Sequence, residues 1–138
     1  MPIYFAHISE NVFGLVHAGW RGLVDGILEE SAALLSKKGY KLSDFEIVIG
    51  PSIQKCCFEV RDDIIKKFNS EFVIRTNQDG AYKVDLQKYA FSKMVDMGFE
   101  ESNIQLYNDC TFCLQEKYHS FRRDGKGSGR MIGLIGSS

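Results

Sequence analysis

Two stretches of helical periodicity alternate with short runs of β-branched and aromatic residues, and this alternation limits the fold more than any other feature. In residues 20–38, Leu23, Ile27 and Leu34 form one apolar row, with Val24, Leu28 and Leu35 beside it. Rows at this spacing describe one face of an α-helix. Lys37 and Lys38 suit the negative end of its macrodipole, and Gly39 is a natural C-terminal cap. A second helix is expected after Asp85, whose carboxylate can accept from the unpaired amides of a first turn. Its apolar face is Leu86, Tyr89, Ala90, Met94 and Met97, and Gly98 ends it.

Strand-like runs occur at residues 2–6, 12–18, 45–49, 57–60, 72–75, 82–84, 104–107 and 131–135. Turn-prone Ser9-Glu10-Asn11 joins the first two as a hairpin, and Gly50-Pro51-Ser52 halts the third. Asn77-Gln78-Asp79-Gly80 offers a glycine for a second tight connection, and residues 61–69 carry Ile64, Ile65 and Phe68 on one side of a short helix. The order strand, strand, helix, strand occurs twice. It predicts an α+β fold of mixed β-sheets with helices packed on them, in one domain over residues 1–138. The outline suggests an internal duplication, although no sequence repeat supports it. The first run follows Met1 with no polar lead-in, so the chain is expected to begin inside a sheet. An open side of that strand would accept a second copy, which makes a homodimer an expectation.

Charge and composition exclude several classes. Seventeen basic side chains stand against eighteen acidic ones, for a net charge of −1, and the two signs are interspersed. A broad basic face for nucleic acid is not expected. No apolar run approaches the roughly 20 residues that cross a bilayer, and the N-terminus lacks the pattern of a secretory signal. A cytoplasmic protein without membrane contact is expected. With 44% hydrophobic residues the core needs no disulfides, so Cys56, Cys57, Cys110 and Cys113 are expected to be buried, reduced thiols. Adjacent cysteines facing a single C-x-x-C also match zinc-finger spacing poorly.

Two constellations can carry chemistry. His17-Ala18-Gly19-Trp20-Arg21-Gly22 stands where a strand gives way to the long helix. There, small residues allow a sharp turn, a histidine can ligate a metal or move a proton, and an arginine can hold phosphate or carboxylate. The plainer reading is a capping turn with Trp20 in the core and Arg21 in a surface ion pair. Residues 119–130 hold Arg122, Arg123, Lys126 and Arg130 among three glycines, a composition suited to anions. The glycine spacing matches no nucleotide-binding fingerprint, and a solvated loop is the alternative. His7, with no partner visible in sequence, is expected to be a strand-end histidine with a satisfied hydrogen bond.

Taken together, the hexapeptide at 17–22, Ile49-Gly50-Pro51-Ser52-Ile53, Cys57-Phe58-Glu59-Val60, Cys110-Thr111-Phe112-Cys113, Ser120-Phe121-Arg122-Arg123-Asp124 and Gly129-Arg130-Met131 resemble the bacterial laccase-domain family. That family is known both as multicopper polyphenol oxidases and as purine nucleoside phosphorylases. The order and spacing of these blocks match along the whole chain. The resemblance implies a metal site, usually zinc with copper as the alternative, and cleavage of inosine, adenosine or methylthioadenosine by phosphate, with adenosine deamination beside it. It makes His17 a metal ligand and, with Arg21, a catalytic residue. Arg122, Arg123 and Arg130 are assigned to phosphate or ribose by charge and motif membership.

The family's site joins two histidines to a cysteine in an Asp-Cys-Leu-Pro segment. The family spacing puts that cysteine one residue before Met1, with Pro2 matching the segment's proline. The chain is therefore expected to lack the family's N-terminal portion. With a single histidine, weak or absent metal at His17 follows. Copper-dependent phenol oxidation and an inactive anion-binding or interaction module are the alternative functions.

Overall fold

The computed structural model describes residues 1–137, which resolve into two compact units. The first comprises Met1–Gly50, Ala90–Tyr107 and the residues from Gly133 onward. Its sheet contains β1 (Pro2–His7), β2 (Phe13–His17), β3 (Phe45–Ile49) and β7 (Ile104–Leu106), in the spatial order β2-β1-β3-β7. β1 is antiparallel to both of its neighbours, whereas β3 and β7 run parallel. The sheet is thus mixed, as the strand pattern implied. β1 is covered on both sides, so the open edge expected of the first strand belongs to β2 and β7 instead. Period-two alternation turns Ile3 and Phe5 of β1, and Phe45, Ile47 and Ile49 of β3, into the core.

The helix expected over residues 20–38 is two helices, α1 (Trp20–Asp25) and α2 (Ile27–Lys37). Gly26 separates them at φ 95°, in the left-handed region, with its N–H donating to the Gly22 carbonyl. Leu23 on α1 and Leu28 on α2 are both buried, so apolar burial carries past the break, whereas Leu34, expected on the same row as Leu23, is 55% exposed. Periodicity alone therefore cannot register it. Gly39 closes α2 as expected, at φ 91°, with Tyr40 N–H returning to the Leu35 carbonyl.

The second unit comprises Pro51–Tyr89 and Asn108–Ile132. β4 (Glu59–Val60), β5 (Val73–Arg75) and β6 (Tyr82–Val84) form an antiparallel sheet in the order β4-β6-β5. Gly80 takes φ 70° in the β5–β6 connection. The short helix expected at 61–69 is confined to α3 (Asp62–Ile65), after which separate turns carry Phe68 into the core. There Phe68 and Phe72 both meet the Tyr89 ring edge-on, at centroid distances of 5.0 and 5.3 Å. α4 (Leu86–Met97) starts where the Asp85 carboxylate accepts from Lys88 N–H at 3.0 Å, and Gly98 follows it at φ 105°. α5 (Phe121–Asp124) is capped by the Ser120 hydroxyl.

Residues 131–135 form no strand. Ile132 and Leu134 are 84% exposed, so their apolar alternation is answered by neither a ladder nor a core. Gly133 packs closely, so that an added Cβ would meet the Tyr4 hydroxyl at 2.9 Å.

At the end of β3, Gly50 N–H donates to the Pro2 carbonyl, and a Cβ on Gly50 would lie 2.7 Å from Pro2 Cγ. Both atoms belong to hydrogen-bonded backbone or a rigid ring, so neither yields easily. Gly50→Ala is expected to cost about 1–3 kcal/mol in urea unfolding. The double variant with Pro2→Ala should recover most of that loss.

Candidate functional site

In the first unit, His17 closes β2 opposite Pro2, and its exposed imidazole folds toward Gly19, with Nε2 3.4 Å from where a Cβ there would stand. A protonated Met1 amine and partial burial both favour the neutral ring of His17, moving it below its ordinary range. Burial in turn pushes the Met1 amine down to about 6. At neutral pH the imidazole is therefore neutral and able to accept a proton. Arg21 lies exposed in the first turn of α1, its guanidinium carbon 5.1 Å from the centre of the Trp20 ring. Trp20 is only half-buried, and the ring is a shelf for the arginine rather than a core anchor. α1 has only six residues, so its dipole adds little to the junction.

His7 behaves as expected. Its Nδ1 accepts from Ser9 and Glu10 N–H at 3.3 and 3.1 Å, and its ring meets Phe45 edge-on at 5.0 Å.

The arginines of the second unit have separate partners. Arg122 donates to the Glu59 carbonyl at 2.8 Å and lies 5.2 Å above the Phe58 ring. Arg123 spreads its fork over the carbonyls of Thr111, Phe112 and Tyr118 at 2.9–3.1 Å and pairs with Asp124 at 2.8 Å. Its guanidinium is therefore committed to holding the 111–118 loop. Arg130 is exposed and donates to the carbonyls of its chain neighbours Ser128 and Gly129. Beside it His119 lies flat on Gly129, where a Cβ would come within 2.5–2.7 Å of three ring atoms.

The largest departure from the sequence reading concerns the cysteines. All four are free, but only Cys110 is buried; Cys56 and Cys113 are exposed and Cys57 is intermediate. Their sulfurs lie within 4.8 Å of one another, a group that could hold a metal ion. The Ser52–Cys110 bridge, with Thr111 N–H donating to the Ser52 carbonyl, sets the two segments side by side. The amides of Cys57 and Phe58 both return to the Gln54 carbonyl, and this turn brings the adjacent thiols to one side. Burial raises the Cys56 and Cys57 thiols. Burial also opposes ionisation of Cys110, yet amide hydrogen bonds from Gln54, Cys113 and Phe112 hold it down to about 7. The signal in the sequence was the pairing itself, two cysteines after each strand of the parallel β3–β7 pair.

Among the described residues this is the only group of three or more histidine, cysteine or acidic donors within ligating reach. His17 is not part of it. One imidazole does not make a zinc or copper site, so the residues present around His17 do not fit the metal that the family resemblance implies there.

The chain is 33% identical to the purine nucleoside phosphorylase YlmD of Geobacillus stearothermophilus, over 99% of this chain and 52% of that protein. It is 31% identical to the purine nucleoside phosphorylase CA_C1699 of Clostridium acetobutylicum, over 98% of this chain and 58% of the relative. The crystal structure of Bacillus licheniformis hypothetical protein YfiH superposes with a TM-score of 0.81 at 28% identity, covering 88% of this chain and 48% of its own. That of YlmD superposes with a TM-score of 0.80 at 32% identity. The chain spans about half the length of the curated relatives it matches. No helix among the described residues is long and apolar enough to cross a membrane. Since the family described as multi-copper polyphenol oxidoreductase laccase matches residues 1–138 throughout, the chain belongs to that family.

Proposed function

We propose that this chain serves phosphorolysis of a purine nucleoside, in which phosphate oxygen bonds to ribose C1′ as the glycosidic bond breaks and the purine leaves with the bonding electrons and a proton. The observation that carries this reading is the strand-to-helix junction, where the exposed Arg21 fork lies on Trp20 a few residues from the neutral His17. Relatives named purine nucleoside phosphorylase align with the chain across that junction.

Cleavage builds positive charge on the ribose, and an anionic phosphate beside it lowers the barrier electrostatically. Arginine supports such an anion because its planar fork gives two parallel, charge-assisted hydrogen bonds. Arg21 is the residue assigned to this work in the first unit. Arg122 and Arg130 are the candidates in the second, since Arg123 is spent on backbone carbonyls. His17 is assigned to proton transfer. Deamination of adenosine, in which water replaces the amine at purine C6 and ammonia leaves, is the finer part of the proposal.

The test is chromatography of the purified chain after incubation with inosine and inorganic phosphate. Hypoxanthine and ribose 1-phosphate are expected, in amounts that depend on phosphate. The same preparation given a phenol separates this reading from copper-dependent oxidation, and oxidised phenol without any phosphorolysis overturns it. Absence of turnover, with phosphate still raising the melting temperature, would favour an anion-binding module instead.

A further inference from the structure

We infer that Cys56, Cys57, Cys110 and Cys113 form a tetrathiolate site for one zinc ion, which fastens the loops of the second unit. The inference is independent of the phosphorolysis reading, because none of these residues was assigned to substrate.

The geometry is the first argument. A zinc ion with Zn–S bonds of about 2.3 Å holds its four sulfurs about 3.8 Å apart, the edge of a tetrahedron. Here Cys56 and Cys113 sulfurs are 3.8 Å apart, those of Cys57 and Cys113 are 3.3 Å apart, and all pairs fall within 4.8 Å. Disulfide bonding needs about 2.05 Å between sulfurs, and Cys56 and Cys57 both against Cys113 leave no unique pair to oxidise. Four sulfurs converging on one point are better explained by an ion than by packing, since two of them are exposed and bury little apolar surface.

The surroundings are the second argument. Metal-bound thiolates keep their charge when second-layer donors point at sulfur, and Gln54 N–H lies 3.4 Å from Cys110 Sγ. Cys110 and Cys113 sit on one turn, closed by Leu114 N–H donating to the Cys110 carbonyl. Arg123 grips the two carbonyls between them, Thr111 and Phe112, and so places a positive charge on the loop that would carry the thiolates. Arg123 is thus a positioning residue for the site. Loss of the thiol protons leaves a complex of net charge −2, which this guanidinium and the amides partly offset. Exposed Cys56 and Cys113 give the ion a path in.

Ligand type selects the ion. Four thiolates in a tetrahedron suit zinc or iron, whereas copper(II) prefers nitrogen and oxygen in tetragonal array. Zinc needs no electron transfer to persist in a reducing compartment, and it is the occupant assigned here.

The experiment is elemental analysis of the whole chain purified under reducing conditions, paired with visible spectroscopy after exchange into cobalt(II). One zinc per chain is expected, with the intense visible bands and sulfur-to-metal absorption of tetrahedral cobalt thiolate. Cys113→Ser, at an exposed position, should lower zinc content at least tenfold, while His17→Ala should keep it in full. Circular dichroism of Cys113→Ser distinguishes loss of a ligand from loss of the fold. Cys56→Ser supplies a second exposed variant should the first unfold. Zinc that survives both substitutions, iron in its place, a disulfide among the four found by mass spectrometry, or metal lost on His17→Ala would each overturn the assignment.

Discussion

Phe45→Ala is expected to destabilise the protein by about 3–5 kcal/mol, the range for emptying a fully enclosed aromatic site. Phe45 has no exposed surface. It opens β3, the strand that bonds β1 on one side and β7 on the other. Its ring is boxed by His7 at 5.0 Å and Tyr40 at 6.1 Å, both edge-on. Two aromatic contacts vanish with the side chain, and the strand on which the cavity opens cannot move without breaking two ladders. For a chain of this size the loss corresponds to a fall in Tm of about 10–20 °C. Phe45→Leu refills much of the volume and should forfeit less than half as much. Calorimetry of the two variants against the parent checks the ordering, and equal losses would show that the aromatic box contributes nothing beyond its volume.

If the proposed phosphorolysis holds, Arg21→Ala should lower its kcat/KM about 100-fold, the scale on which removing one preorganised donor to a developing charge is felt. Its fold should survive. Arg21 is exposed, and the stack on Trp20 accounts for no more than about 3 °C of Tm, the equivalent of one exposed cation–π contact. Arg21→Lys retains the charge but loses the fork, so only a small part of the rate should return. Steady-state kinetics with phosphate as the varied substrate test this. An Arg21→Ala enzyme with unchanged kcat and KM would remove Arg21 from the mechanism.

Local signals in the sequence translate well where the physics is local. β3 spans the residues expected, because Phe45, Ile47, Val48 and Ile49 around a single exposed Glu46, stopped by Gly50-Pro51, have few other conformations. Asp85 caps α4 through the first-turn amide of Lys88, and Gly39 and Gly98 close their helices, since each of these depends on a few neighbouring dihedrals. Three features escaped for one shared reason. Gly26 breaks a helix without breaking its apolar rows, so a pattern of burial cannot reveal a left-handed residue. Residues 131–135 alternate like a strand, but a strand exists only with a partner, which alternation does not specify. The cysteines meet because Ser52 pairs with Cys110 across more than fifty residues of chain, and no local spacing rule for zinc ligands anticipates such a pairing. Arg123 is a similar case. Its charge suggested an anion, whereas carbonyls of a loop that only the fold brings near have taken its donors.

The parallel pairing of β3 with β7 also bears on how the chain is made. β1, β2 and β3 are complete once the ribosome has released Ile49, and their antiparallel ladders can close at once. β7 cannot be added until synthesis has passed Leu106, after the whole of Pro51–Tyr89 has emerged and begun its own sheet. Through that interval β3 carries a row of unpaired backbone groups and an apolar face, the kind of edge that recruits another nascent chain. Until β7 arrives, the largely buried β3 stands at the sheet edge that the short, mostly exposed β7 occupies in the finished unit, and this exposure lasts as long as translation of the segment in between.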